Sequence, residues 1–167
     1  MTHVLHLTSV ALHILAAAVW VGGMAFLALV VVPVVPRPAF AGQSAALVRE
    51  TAERFRLVGW SALAVLIITG VVNLAVRGYG VESLRSGALF DGFFGHVLAI
   101  KLVLVVVTVI LALLHDLWLG PRASAILMAA PGTPAARSAR RLASWLGRVS
   151  LLLGIALVVL GVLLVRG

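Results

Sequence analysis

The sequence predicts an all-α protein, an integral membrane bundle of four transmembrane helices, and two observations carry that expectation. The chain is 63% hydrophobic and only 11% charged over 167 residues, with a mean hydropathy of +1.21, whereas soluble domains carry about a quarter charged residues. Stretches almost free of charge then recur four times, over 4–35, 57–76, 95–119 and 149–165. Each is long enough to cross about 30 Å of hydrocarbon at about 1.5 Å per residue, the last with Arg148 snorkelling at its end. Only helices and closed barrels satisfy the backbone in lipid, and none of these runs alternates polar with apolar residues as barrel strands do. The expected organisation is one domain over 1–167, with helices at about 4–35, 43–77, 95–119 and 143–165.

The first run has no lysine or arginine before Arg37 and is longer than the apolar core of a secretory signal, so it reads as a retained span. Pro33, Pro36 and Pro38 end it. The segment QSAALVRETAERFRLVGW has helical composition and pairs Arg49 with Glu53 and Glu50 with Arg54 at i,i+4 spacing. The second helix is therefore expected to project about three turns beyond the membrane. Between the third and fourth runs, APGTPAARSARR contains Pro131, Gly132 and Pro134 and reads as a mobile linker.

Orientation follows from the arginines. Arg37, Arg49, Arg54, Arg56, Arg122, Arg137, Arg140, Arg141 and Arg148 flank one side, against Arg77, Arg85 and Arg166 on the other, which places both termini outside. The net charge of +8 is then a topology signal and a contact with anionic lipid; the arginines are not interleaved with aromatics, so nucleic acid is not an expected partner. With no cysteine and three methionines, neither a thiolate site nor a methionine-lined path for Cu(I) is available.

Polar residues inside the spans form seams. Lys101, Thr108 and His115 recur at seven on the third helix, His6, His13 and Trp20 on the first, and Thr69, Asn73 and Arg77 at four on the second. Such seams face a bundle interior, because lipid leaves polar groups unpaired. Lys101 is the sharpest signal: a lysine in hydrocarbon costs roughly 2.5–3.5 kcal/mol on insertion scales and calls for a partner, here Asp91 or Glu82 from the outer loop or a bound anionic group. On the fourth helix Gly147, Gly154 and Gly161 recur at seven and read as close packing, the alternatives being a face for a flat cofactor or for a second copy in a homo-oligomer. Depth gathers His3, His6, His13 and His96 at the outer end as candidate metal ligands, His13 level with His96, and sets His115 and Asp116 at the other end. A free amine on Met1-Thr2-His3 would add an all-nitrogen set suited to square-planar Cu(II).

The segments HILAAAVWVGGMAFL, RFRLVGWSALAVLIITGVVNL and GHVLAIKLVLVVVTVILALLHDLWLGPR resemble the copper-resistance D (CopD) membrane domain. That resemblance implies a multi-pass protein of the bacterial inner membrane handling copper, in uptake or tolerance, with a small periplasmic copper-binding partner and no catalytic residue to assign. More distantly, His13, Lys101-Leu102 and His115 resemble the pattern of HemJ-type protoporphyrinogen oxidase. That second resemblance implies a haem-dependent oxidoreductase in which His13 ligates haem b, Lys101 pairs with a propionate, and His115 closes the set. The two readings differ in class, a copper carrier against a haem-b redox protein.

Overall fold

The computed structural model of the chain describes residues 2–34, 37, 42–130 and 132–166, with the backbone alone at Thr2, Ser44, Ala45 and Met128. The expectations resting on Met1, Pro36, Pro38 and Pro131 lie outside these residues. Helix α1 (Thr2–Phe26) runs on through a π segment, Leu27–Val31, and one further turn, Val32–Val34. Helix α2 is Ser44–Val76, α3 is the short Val81–Arg85, α4 is Gly92–Leu114, α5 is Gly120–Ala129 and α6 is Pro134–Arg166. A second π segment, His115–Leu119, joins α4 to α5 without a break.

Four stretches are long and apolar enough to cross a membrane: His3–Val34, Ala46–Val76, Gly92–Leu127 and Pro134–Arg166. Large hydrophobics such as Leu29, Leu57, Val103, Leu117 and Val165 are exposed, the inverse of a soluble domain and the arrangement a lipid solvent favours. The protein is therefore a multi-pass membrane bundle. The first span packs against the second and the fourth, and the fourth against the third. The core gathers round Trp20, Ala62 and Leu63, with Val21, Met24 and Trp60 packed on it.

Glycines set the close approaches. Gly23 on α1 leaves room for the Phe55 ring of α2, and Gly95 at the start of α4 lets the Phe90 backbone lie against it. At one end Arg77 donates to the Leu164 carbonyl at 3.1 Å and lies 5.3 Å from the Phe94 ring centre, while Tyr79 stacks on Phe94. These contacts tie the second, third and fourth spans together.

The helices run further than the apolar windows alone suggest. Helix α2 starts at Ser44, and on its polar turns Arg54 pairs with Glu50 at 3.5 Å; no such pair closes between Arg49 and Glu53 among the described residues. The expected mobile linker is instead the start of α6. Thr133 caps it, its hydroxyl accepting from the Ala136 N–H at 3.2 Å and donating to the Ala130 carbonyl at 2.9 Å. With Pro134 in the first turn and Ala and Arg following, a threonine cap turns an apparent breaker into a start signal.

Candidate functional site

The best-defined polar contact between spans joins His13 to Thr69. The Thr69 hydroxyl donates to the Val65 carbonyl of its own helix at 2.6 Å, the usual outlet for a threonine buried in a helix. Its single proton is thereby committed, so at 2.7 Å it accepts from His13 Nδ1. That bond assigns the imidazole tautomer: Nδ1 carries the hydrogen and Nε2 keeps its lone pair. Ser9, one turn earlier on α1, donates to the Thr69 carbonyl at 3.3 Å. Gly70 lies beside the ring, where a β-carbon would stand 3.8 Å from Cε1, an ordinary packing distance.

Lys101 is half-buried and faces inward, its Nζ 3.3 Å from where a β-carbon of Gly161 would stand. The depth reading paired His13 with His96, but His96 is exposed while Lys101 turns inward to Gly161. Lysine on a helix leans toward the helix start, which carries its long stem outward from its own Cα. The expected carboxylate partner is missing: neither Asp91 nor Glu82 forms an ion pair with Lys101 among the described residues. The glycine strip of α6 also divides. Gly154 packs on Trp20, Val21 and Met24, Gly161 seats the lysine, and Gly147 meets nothing.

The three seams do face inward. Thr69 and Trp20 are buried and Thr108 is only 2% exposed. Buried atoms without a hydrogen-bond partner also sit on these seams: His6 Nδ1, Asn73 Oδ1 and Thr108 Oγ1. Unsatisfied polar atoms are uncommon in protein interiors and mark places where water or a passing ligand completes the bonding.

The histidines expected at the outer end do not form a cage. His3 and His96 are exposed, His6 and His13 are half-buried, and no group of three or more His, Asp or Glu able to hold a metal occurs among the described residues. His115 is remote from this site, fourteen positions beyond Lys101 on a nearly continuous helix, about 21 Å at 1.5 Å per residue. A haem ligated by His13 fits poorly. The ring is held against Thr69, and the Lys101 ammonium occupies the space beside Gly161.

At that other end Asp116 is the hub. One carboxylate oxygen accepts from Trp60 Nε1 at 2.8 Å and the other lies 3.0 Å from His115 Nδ1. A π segment begins at His115, whose side chain is 40% exposed, and shifts the register of the residues that follow it. A groove of about 450 Å³ opens beside Asp116 between the second and third spans.

Sequence reasoning located His13, Lys101, Thr69 and Asn73, and read the glycine strip that includes Gly161 as close packing, with a cofactor or dimer face as alternatives. It missed Trp60. An indole N–H in a span needs an acceptor, and Asp116 is the one acidic residue of the third run, so pairing the two was the available signal.

The sequence pattern described as copper resistance protein D matches residues 49–164, from the second turn of α2 almost to the end of α6. An uncharacterized protein of Aquifex aeolicus (strain VF5) is 35% identical over 153 residues, covering 90% of this chain and 89% of the relative. No solved structure matches. A membrane bundle with four apolar spans and a match over most of its length belongs to the copper resistance protein D family.

Proposed function

We propose that this chain handles copper in the bacterial inner membrane, in uptake or tolerance, with both termini outside and the ion received at the His13 end of the bundle. The observation that carries the reading is the His13–Thr69 hydrogen bond. It presents Nε2 as a free lone pair on a ring oriented from a second helix, the state in which imidazole binds a metal. Copper is cargo here, and weak, stepwise coordination suits cargo better than a closed cage does. His3 and His96 are exposed at the same end, and His6, two turns out from His13, has a free Nδ1; they serve as capture ligands ahead of His13. A periplasmic copper-binding protein is the partner this side of the membrane calls for.

Cells expressing the protein should differ in copper content from cells carrying an empty vector. His13→Ala should remove most of that difference and His115→Ala little of it, as measured by elemental analysis of washed cells. Equal loss in both variants, or none in either, overturns the site. A Soret band in the purified protein would replace copper with haem.

A further inference from the structure

The second and third spans part at the end away from His13. There Trp60 and Asp116 hold them together, beside the groove of about 450 Å³. A second groove of about 220 Å³ lies across a low ridge made by Leu113 and Leu117, whose side chains line both. The ridge is bare, Leu117 being 70% exposed, as is Leu57 at 74% on the facing helix. Two adjoining grooves that share Leu113 and Leu117 offer room for the two acyl chains of a phospholipid.

The depth and the charges agree. Trp118 and Trp145 are both exposed at this end, where indoles mark the boundary between hydrocarbon and headgroups, and Arg122 lies 4.0 Å from the Trp118 ring centre. The larger groove has Glu53 and Arg56 at its rim, both exposed, one turn apart on α2 and not paired with each other or with any described side chain. Asp116 is engaged by Trp60 and His115. The groove therefore carries one cation, Arg56, and two carboxylates, Glu53 and the already engaged Asp116, a balance that disfavours a purely anionic headgroup. It complements a headgroup that bears both charges and can donate hydrogen bonds.

We propose that the groove between the second and third spans binds phosphatidylethanolamine, its phosphate on Arg56, its primary ammonium on Glu53, and its acyl chains in the two adjoining grooves that share Leu113 and Leu117. Arginine recognises phosphate through paired N–H donors, and a primary ammonium donates to a carboxylate where a quaternary choline has no hydrogen to give. The bound lipid seals the parting between the spans.

Native mass spectrometry of the delipidated full-length protein with added phosphatidylethanolamine, phosphatidylglycerol or phosphatidylcholine of matched acyl chains tests this. One phosphatidylethanolamine should be retained at least fivefold over either other lipid, and thermal unfolding in detergent should shift upward with that lipid alone. Glu53→Gln should move the preference to phosphatidylglycerol, and the double variant Glu53→Gln with Arg56→Gln should abolish it. Both side chains are exposed, so folding is not at stake. Equal retention of the three lipids, preference for phosphatidylglycerol by the unaltered protein, or unchanged selectivity in the double variant would overturn the proposal.

Discussion

The ammonium nitrogen of Lys101 lies 3.3 Å from the place a β-carbon of Gly161 would occupy, so one glycine of the fourth-span strip is a seat for a charge. Gly161→Leu should push the lysine off that seat and reduce copper accumulation several-fold while leaving the protein in the membrane. Gly147→Leu, with nothing within 4 Å, should behave as the unaltered chain. Paired assays of membrane abundance and cell copper separate the two; identical behaviour would show that the seat is dispensable.

Lys101→Met keeps length and apolar bulk while removing the charge. A lysine without an ion pair in the bundle destabilises insertion, so the variant should be at least as abundant in the membrane and at least as resistant to heat. Its copper accumulation should nonetheless fall. Full retention of the copper response would reduce Lys101 to a snorkelling boundary residue.

Thr69→Val deletes the acceptor for His13 Nδ1 while preserving shape. Leaving a half-buried imidazole N–H unpaired costs about 1–3 kcal/mol and frees the tautomer. The variant should lose copper accumulation nearly as fully as His13→Ala, with a lowered unfolding midpoint in detergent. A variant with normal copper handling would remove the hydrogen bond from the functional argument.

Trp60→Phe removes the indole N–H from Asp116. Hydrogen bonds to a charged group contribute about 1.5–3 kcal/mol, and this one bridges the two spans that part, so the unfolding midpoint should drop clearly. Arg54→Ala, which breaks only an exposed i,i+4 pair, should leave it unchanged. Comparable midpoints in the two variants would show that Asp116 is not the hub.

Because the chain has no cysteine, single cysteines report topology cleanly. A cysteine at Ser86 should react with an impermeant maleimide in intact cells, and one at Ser138 only after permeabilisation. The reverse pattern would invert the sidedness of the His13 site.

The inward seams were legible because lipid is an unforgiving solvent. Any span residue able to hydrogen-bond must turn from it, so His13, Thr69, Asn73, Lys101 and Thr108 could be assigned to the interior from spacing alone. The register beyond His115 was not legible, because a π segment of five residues displaces the side chains that follow it without altering composition. Thr133 and Pro134 misled in the other direction, since the residues that stop one helix also start the next.

By itself, the sequence determined that this chain is a four-span bundle and which side chains could not face lipid, since both follow from the cost of leaving polar groups in hydrocarbon. Tertiary structure alone decided which of those side chains meet. Whether His13 faces His96 or Thr69, whether Gly161 packs a helix or seats an ammonium, and which acceptor Trp60 finds all depend on how four helices are rotated and staggered against one another. Those settings are made by close contacts such as Gly23 with Phe55 and Gly154 with Trp20, between residues remote in the chain whose pairing no local periodicity records.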